Sequence, residues 1–228
     1  MIDECILQEI MNNSYISTIY DNARPITSYP HQLASYLKSR YNLGGVLVDL
    51  GCGRGDFLNA FREIGLNVQG IDAEENLPVE NVIGGVNLET DTLPFDDDTV
   101  DVIFTKSVLE HIHNPDNIMR ECLRILKPGG ILITMVPDWQ SCMYIYYDDH
   151  THVQPYTVTG LRDLLRIYGF DSVSSEIFYQ LPCVWKYKWI KVICKFLQLI
   201  GGPVKKISKN KFYRFSRELI VLATGYKE

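Results

Sequence analysis

Residues 48–57 of the chain read VDLGCGRGDF, and this stretch decides the fold. Three glycines, Gly51, Gly53 and Gly55, stand at alternate positions after a run of apolar strand-forming residues and before a helix-like segment. Glycine has no Cβ atom, so the backbone at these positions can adopt positive φ and approach another group closely. Amide groups at the start of a helix also offer hydrogen bonds to a ligand. The stretch therefore predicts a strand–turn–helix unit whose turn is a binding loop.

The segments around this turn alternate between strand and helix patterns. Strands that alternate with helices of this length form βαβ units with right-handed crossovers, and hence a parallel sheet. The sequence predicts an α/β, Rossmann-like fold with a seven-stranded, mostly parallel sheet and helices on both faces. The predicted strands are 45–50, 67–72, 81–86, 100–106, 131–137, 171–179 and 218–226, and the predicted core helices are 56–65, 115–126 and 157–168.

Length and composition indicate one globular domain over residues 1–228. The chain is 46% hydrophobic, which is enough for one sizeable core. It contains no apolar run of the roughly 20 residues that a membrane span needs, and its first residues are too acidic for a secretory signal. Six cysteines without a C-x-x-C pair are typical of reduced, mostly buried thiols. We therefore expect a cytoplasmic protein.

We divide the predicted domain into four parts. The core spans residues 44–180, and the last strand lies in residues 218–228. An N-terminal cap, residues 1–43, is predicted to contain two helices around a loop rich in tyrosine. A basic helical insert, residues 181–217, precedes the last strand.

The net charge of −6 hides a strong asymmetry. Residues 183–217 contain ten lysines and arginines and no acidic residue, so the rest of the chain is strongly acidic. Because phosphate backbones bind to cationic faces, the acidic body predicts that nucleic acid is not a partner. The basic segment also carries a broad apolar surface. It favours peripheral contact with an anionic membrane, contact with a second subunit such as a homodimer partner, or simple cover for the sheet.

The glycine loop is predicted to bind a ligand that carries a ribose but no phosphate. Asp49 ends the first strand, and Asp72 ends the second, where a carboxylate can bridge the two hydroxyls of a ribose. A nicotinamide dinucleotide requires G-x-G-x-x-G/A, but Asp56 occupies the sixth position and would face a pyrophosphate. The sequence instead favours a nucleoside with a cationic or zwitterionic part.

Four segments in order carry a family resemblance: VLVDLGCGRGDF, GID at 70–72, LPFDDDTVDVIFTKSVLEHI and ILKPGGILITMVP. Together they resemble the successive motifs of class I S-adenosylmethionine-dependent methyltransferases. The resemblance implies that S-adenosylmethionine is the cofactor, with its methionine part at the glycine loop and its ribose on Asp72. The cofactor-binding residues that it implies are Asp49, Gly51, Cys52, Gly53, Gly55, Asp72, Ala73, Asn87, Leu88, Lys106 and Ser107.

The chain departs from the family pattern at Asn87, where relatives often have an aspartate. The amide oxygen of Asn87 can still accept a hydrogen bond from the adenine amino group. Alternatively, Asp91 supplies the acid.

The groups that receive and activate the methyl acceptor are expected outside the shared motifs. Residues 137–157, PDWQSCMYIYYDDHTHVQPYT, follow the fifth strand, and their acids beside histidines indicate a base held by a carboxylate, or a metal site. The H-x-H spacing alone is no zinc signature, so no metal ligand is assigned, and His111 and His113 are interpreted as structural. The predicted catalytic residues are His150 as the base, Asp149 and Tyr20, and the predicted substrate-binding residues are Tyr15, Arg24, Trp139, Tyr147 and His152.

The segment DDHTHVQPYTVTGLRDLLRIYGF also resembles small methyltransferases encoded among bacterial surface-polysaccharide genes. This resemblance implies O- or N-methylation of a small, anionic, carbohydrate-related or phosphorylated acceptor. Three alternatives stay open: N-methylation of a small phospho-amine, methylation of a lipid or quinone, and a cofactor-binding subunit without turnover.

Overall fold

The computed structural model describes residues 27–75 and 77–228, and a seven-stranded sheet lies at the centre of this part of the chain. The spatial order is β3-β2-β1-β4-β5-β7-β6. Strand β7 is antiparallel to its neighbours β5 and β6, and the other pairings are parallel. The strands are β1 (Val46–Leu50), β2 (Asn67–Ile71), β3 (Val82–Ile83), β4 (Val100–Lys106), β5 (Leu126–Pro137), β6 (Asp171–Phe178) and β7 (Ile220–Tyr226). The predicted Rossmann-like, mostly parallel sheet is confirmed.

Helices cover both faces of this sheet. They are α1 (Tyr29–Tyr41), α2 (Asp56–Glu63), α3 (Asp116–Ile125), α4 (Trp139–Cys142), α5 (Val158–Ile167), α6 (Pro182–Lys186), α7 (Ile190–Gly201) and α8 (Lys211–Phe215), with short 3₁₀ helices at Leu109–His111 and Tyr146–Asp148. Buried residues of α3 and α5 share one hydrophobic cluster with the strands. Buried residues of α1 and α2 share a second cluster. The sheet is therefore the middle layer of three.

This layering explains why the central strands read as continuous apolar runs. In β1, Val48 and Leu50 belong to the cluster with α3 and α5, whereas Leu47 belongs to the cluster with α1 and α2. All three side chains are fully buried. A parallel strand that is covered on both faces needs apolar residues at successive positions, without the alternation of a half-exposed strand.

Strand β5 begins earlier than the sequence predicts. The K-P-G-G segment was expected to separate helix and strand, but strand pairing starts at Leu126, directly after α3. Val100 pairs with Leu126 and Val102 pairs with Ile131, so the β5 segment between these pairs bulges against β4. Gly129 lies in this bulge with φ of 79°, which glycine adopts without a steric penalty. The glycines therefore shape a bulge within the strand.

The part of the N-terminal cap that the structure describes is helix α1, which packs against α2 and the insert. The ring of Tyr36 lies 4.8 Å from the ring of Trp185 in α6. The Tyr29 hydroxyl donates a hydrogen bond to Oε1 of Gln180 at 3.3 Å. The helix predicted before this one lies outside the described residues.

The basic insert contains α6, α7 and α8. Val184 and Cys194 are buried against the neighbouring strand ends, but Val192 and Leu199 on α7 are 70% and 81% exposed. No helix in the described ranges combines the length and apolar character needed to cross a bilayer. Contact of residues 183–217 with an anionic membrane surface or a second subunit stays a prediction.

Candidate functional site

A cavity of about 530 Å³ opens beside the carboxyl ends of β1, β2 and β4. The strand order reverses between β1 and β4, and open α/β sheets bind ligands at such a switch point. Most of the predicted cofactor residues line this cavity: Gly51, Cys52, Gly53, Asp72, Ala73, Asn87, Leu88, Lys106 and Ser107. The motifs therefore come together at one site, as the sequence predicts.

The three glycines of the turn have positive φ, but each has a different neighbour. Their φ values are 71°, 52° and 73° for Gly51, Gly53 and Gly55. A Cβ atom on Gly51 would lie 2.3 Å from Cγ2 of Val108, and one on Gly55 would lie 2.5 Å from Cγ1 of Val79. A Cβ atom on Gly53 would meet no protein atom within 4 Å, and Gly53 lines the cavity. The missing Cβ atoms of Gly51 and Gly55 therefore make room for the side chains of Val108 and Val79. The missing Cβ atom of Gly53 instead leaves the backbone accessible from the cavity.

Asp72, just after β2, anchors the glycine loop through hydrogen bonds. Its Oδ2 accepts a hydrogen bond from the Gly53 N–H at 2.8 Å, and its Oδ1 accepts one from the Glu74 N–H at 3.0 Å. The carboxylate also lines the cavity and has lone pairs for further donors. Asp72 is thus placed both to shape the loop and to accept hydrogen bonds from a ribose.

Substitution Asp72→Ala is expected to weaken S-adenosylmethionine binding by about 1–3 kcal/mol, because a charge-assisted contact and a loop anchor are lost together. Isothermal titration calorimetry measures this change. Asp96→Ala, which removes an exposed acid, is the control and should keep the wild-type affinity. Equal affinities for the two variants would show that Asp72 does not contact the cofactor.

Two charged groups, the buried Asp49 and the partly buried Lys106, lie at the ends of β1 and β4. Burial and the nearby Asp72 carboxylate raise the pKa of Asp49 well above its usual value, and the Lys106 ammonium opposes this rise. Burial lowers the pKa of Lys106, and the carboxylates of Glu110 and Asp49 oppose this fall. The Lys106 Nζ atom also lies 5.4 Å from the centroid of the Phe57 ring. Each of these two groups therefore offsets part of the cost of burying the other.

Substitution Asp49→Asn is expected to change how stability depends on pH. The Asp49 pKa is raised in the folded protein above its usual value of 3.8, so the unfolded chain releases this proton first and the folded state loses stability as pH rises beyond about 4. Asparagine does not titrate, so the variant should gain thermal stability relative to wild type between about pH 4 and pH 7. Thermal unfolding of both proteins at the two pH values measures this gain, and a difference independent of pH would contradict it.

Ser107, the residue after β4, holds a strained backbone at the cavity wall. Its φ is 59°, which is uncommon for a residue other than glycine and costs of the order of 1 kcal/mol. Its N–H donates a hydrogen bond to the carbonyl of Met135 at 2.8 Å, which holds this conformation. The main chain at Lys106 and Ser107 is therefore presented to the cavity, where the resemblance places the methionine part of the cofactor.

The predicted adenine contacts lie where Asn87 and Leu88 line the cavity beside the apolar Val86. The Asn87 Oδ1 atom already accepts a hydrogen bond from the Glu89 N–H at 2.9 Å. The Asn87 N–H donates to Oδ2 of Asp91 at 2.8 Å, and Asp91 is not among the described residues that line the cavity. Asp91 therefore closes the turn, and contact of Asn87 with adenine stays a prediction.

A cluster of Glu110, His111 and His152 lies beside the cavity. One potential ligand atom from each residue lies within 4.8 Å of the others. The imidazole rings of His111 and His152 have centroids 4.9 Å apart. His111 lines the cavity together with Thr151, so the cluster borders the space where an acceptor would bind.

Hydrogen bonds orient both imidazole rings of this cluster. The His152 Nδ1 atom lies 2.6 Å from the carbonyl oxygen of Tyr146, and because a carbonyl only accepts, Nδ1 carries the proton. The His111 Nδ1 atom lies 3.2 Å from the Thr151 carbonyl oxygen and 2.9 Å from Oγ1 of the same residue. The Thr151 hydroxyl donates to Oδ1 of Asp149 at 2.6 Å. A chain of hydrogen bonds thus links Asp149 through Thr151 to His111.

Glu110 is the least exposed member of the cluster, at 0% of its surface, and neither carboxyl oxygen has a hydrogen-bond partner in the part of the chain that the structure describes. Burial raises the pKa of Glu110 to about 8, while the nearby Lys106 ammonium opposes the rise and the Asp149 carboxylate adds to it. The nearby Ser107 side chain also opposes the rise. Burial and the neighbouring His152 lower the pKa of His111, which favours its neutral ring.

The loop around the predicted base takes a different arrangement from the expected one. His150 is exposed and does not belong to the described cavity lining, because the next residue, Thr151, takes the inward position. Asp149 lies near His152, with 3.9 Å between its Oδ2 and the His152 Nε2. Of the residues predicted in this loop, Asp149 and His152 therefore reach the cluster, and His150 does not.

Trp139 and Tyr147, also predicted on the acceptor side, are not among the described residues that line the cavity. Trp139 is half-buried, and its backbone N–H donates to the carbonyl of Tyr156 at 2.9 Å. Tyr147 is 58% exposed and lies edge-on to the Tyr146 ring. The predicted residues Tyr15, Tyr20 and Arg24 lie outside the residues that the structure describes.

The sequence analysis assigned no catalytic role to Glu110, His111 or Thr151. Glu110 and His111 close the third motif, and an adjacent acid and histidine directly after a buried strand were the available signal. Thr151 carried no such signal, because its role depends on how the loop folds against His111.

The family of the chain is shown by comparison with known proteins. Residues 22–175, more than half of the chain, match the family described as "Methyltransferase domain". The chain therefore belongs to the methyltransferase-domain family, which confirms the predicted class. S-adenosylmethionine is the cofactor of this class.

Individual relatives agree with this assignment. Ubiquinone biosynthesis O-methyltransferase of Roseobacter denitrificans is 27% identical over 164 residues, which cover 62% of this chain and 66% of that protein. A SAM-dependent methyltransferase structure from Archaeoglobus fulgidus has a TM-score of 0.64 at 18% identity, covering 93% of this chain and 100% of that chain. Phosphoethanolamine N-methyltransferase 2 of Haemonchus contortus, in complex with S-adenosyl-L-methionine, has a TM-score of 0.58 at 18% identity, covering 86% and 52%. The two structural similarities show the fold.

The matches to curated relatives span between about a third and two thirds of the length of those proteins.

Proposed function

We propose that this protein transfers a methyl group from S-adenosylmethionine to a hydroxyl oxygen of a small acceptor. One observation carries the proposal: a single cavity is lined both by the glycine loop with Asp72 and by His111 with Thr151. The first set suits a nucleoside cofactor, and the second suits a group that must lose a proton. An amine acceptor needs such a set only to become neutral before it attacks, whereas a hydroxyl needs it during the transfer, because the neutral oxygen is a weak nucleophile.

The cofactor would be held by residues of the shared motifs. The bare backbone at Gly53 would contact it, Asp72 would accept hydrogen bonds from its ribose hydroxyls, and Leu88 would contact its adenine. When bound, S-adenosylmethionine supplies a methyl group on a positively charged sulfur. The protein's own contribution is to position the acceptor and to exclude water, which accounts for much of the rate gain in displacement reactions.

We assign activation of the acceptor to the cluster of Glu110, His111 and His152 beside the cavity. A hydroxyl is a weak nucleophile until its proton is removed. The neutral imidazole of His111 can accept this proton, with Thr151 and Asp149 stabilising the imidazolium. Alternatively, the cluster holds a cation that lowers the pKa of the hydroxyl. Both routes depend on His111, and neither requires His150.

For the acceptor we keep the prediction of a small, anionic, carbohydrate-related or phosphorylated molecule, which rests on the resemblance of residues 148–170. Two other acceptors have support from single relatives. The Roseobacter relative is named for ubiquinone biosynthesis, and the Haemonchus neighbour is a phosphoethanolamine N-methyltransferase. The hydrogen-bonded histidine cluster favours a hydroxyl over an amine among these.

The test is a turnover assay with methyl-labelled S-adenosylmethionine. The acceptors are nucleotide sugars, catechol-type quinone precursors and phospho-amines, and mass spectrometry detects S-adenosylhomocysteine and the labelled product. We expect a methyl ether on one of the hydroxyl acceptors. Methylation of amines alone would contradict the assignment to oxygen. Cofactor binding without turnover on every class would contradict an enzymatic role.

A further inference from the structure

Within residues 27–75 and 77–228, the buried carboxyl of Glu110 has no partner that explains its burial. Both of its oxygens lie in the interior without a hydrogen bond to any of these residues. The Lys106 ammonium does not come within ion-pair distance, 4.0 Å, of it. Burying a carboxyl without partners destabilises the fold by roughly several kcal/mol. Such a group is usually explained by a bound ion, a water molecule or a functional role. The residues around Glu110 indicate which of these three explanations applies.

We propose that Glu110, His111 and His152 bind one divalent transition-metal ion. Two imidazoles and one carboxylate form a ligand set that suits Zn²⁺ or another first-row divalent metal ion and leaves a coordination position open. The three potential ligand atoms already lie within 4.8 Å of one another. Ligands at about 2.1 Å from a tetrahedral ion are separated by roughly 3.4 Å. Small side-chain shifts therefore close the site around an ion.

The orientation of both histidines supports this assignment. Metal-bound histidines almost always donate their second ring N–H to a carbonyl or carboxylate, which fixes the ring and the tautomer. His152 donates Nδ1–H to the Tyr146 carbonyl, and His111 donates Nδ1–H to Thr151. In both neutral rings the lone pair is then on Nε2, the second nitrogen. The Thr151 hydroxyl in turn donates a hydrogen bond to Asp149, so the groups that orient the His111 ring are themselves held in place.

The location of the cluster gives the ion a role, and this role rests on the proposed function. His111 and Thr151 line the cavity, so an open coordination position on the ion would be accessible to an acceptor hydroxyl. A coordinated hydroxyl has a lowered pKa. Its O–H bond breaks with the proton passing to water, and the oxygen keeps both electrons as the nucleophile. Binding of the ion, by contrast, is independent of any acceptor.

The experiment uses the full chain after treatment with a chelator and dialysis into metal-free buffer. Zn²⁺ is titrated by calorimetry, and Co²⁺ is titrated with visible spectroscopy to report the coordination geometry. We expect one ion per chain in the wild type. Glu110→Gln and His152→Gln, which keep the side chains polar and similar in size, should each weaken binding at least about tenfold. Thermal unfolding establishes that each variant is folded.

The matched control is His113→Ala. His113 is two residues from His111, but its side chain is 74% exposed and pairs with Glu89. It should bind Zn²⁺ and Co²⁺ as the wild type does, whereas a loss of affinity equal to that of His152→Gln would indicate adventitious surface binding and overturn the proposal.

Two further outcomes separate the metal site from the proposed function. Absence of Zn²⁺ and Co²⁺ binding by the wild type, with methyl transfer intact in chelator, overturns the metal site and leaves His111 as the proton acceptor. Binding of one ion that Glu110→Gln and His152→Gln both weaken supports the metal site even if no hydroxyl acceptor is methylated, and in that case the proposed function fails alone.

Discussion

Substitution His111→Ala is expected to lower the rate of methyl transfer about 10²- to 10⁴-fold. His111 is the imidazole of the cluster that lines the cavity, and its Nδ1 is fixed by Thr151. Whether the ring accepts the hydroxyl proton or binds a cation, alanine removes the activating group. Steady-state kinetics give kcat and KM for the acceptor, and calorimetry gives the affinity for S-adenosylmethionine, which should change much less than kcat.

His150→Ala tests the alternative base in the same loop. His150 is exposed and Thr151 takes the inward position, so this variant should keep most of the wild-type rate. A slow His150→Ala enzyme beside a fast His111→Ala enzyme would mean that the loop rearranges when acceptor binds and would restore the assignment made from sequence. Full activity in both variants would remove His111 and His150 from the activation step.

The fold and the place of the ligand cavity could be predicted because their signals are local in sequence. The apolar run before Gly51 is continuous, since β1 is covered on both faces, and this continuity marks the centre of a parallel sheet. The loops that follow β1, β2 and β4 then lie at one edge, because parallel strands place their carboxyl ends together. A glycine turn and an acid after the next strand, here Asp72, therefore specify a site without any knowledge of packing.

The cluster of Glu110, His111 and His152 could not be predicted in the same way, because it joins segments far apart in the chain. His111 and Thr151 are separated by 40 positions, and their contact depends on how an irregular loop folds back. Such a loop has no periodicity, so the sequence does not show which of His150 and Thr151 turns inward. The burial of Glu110 was equally hidden, since a glutamate at the end of a motif is ordinarily expected at the surface.

Substitutions Gly53→Val and Gly51→Val are expected to separate ligand binding from stability. Both positions have positive φ, so valine strains the backbone at each by roughly 1–3 kcal/mol. At Gly51 the new Cβ would also lie 2.3 Å from Cγ2 of Val108, and overpacking of this kind costs about 1–3 kcal/mol more. At Gly53 no protein atom lies within 4 Å of the new Cβ, so Gly53→Val should be the more stable of the two.

The binding effect should have the opposite order. Both glycines line the cavity, but the new Cβ at Gly51 points at Val108, whereas the one at Gly53 meets no protein atom within 4 Å. A valine side chain at Gly53 would therefore occupy the space in which the cofactor approaches the backbone. We expect Gly53→Val to weaken S-adenosylmethionine binding about 10²- to 10³-fold, which corresponds to about 3–4 kcal/mol. Chemical denaturation and calorimetry on the same preparations measure both quantities. Because the backbone strain is common to the two variants, wild-type affinity in Gly53→Val could only mean that the cofactor does not lie against this glycine.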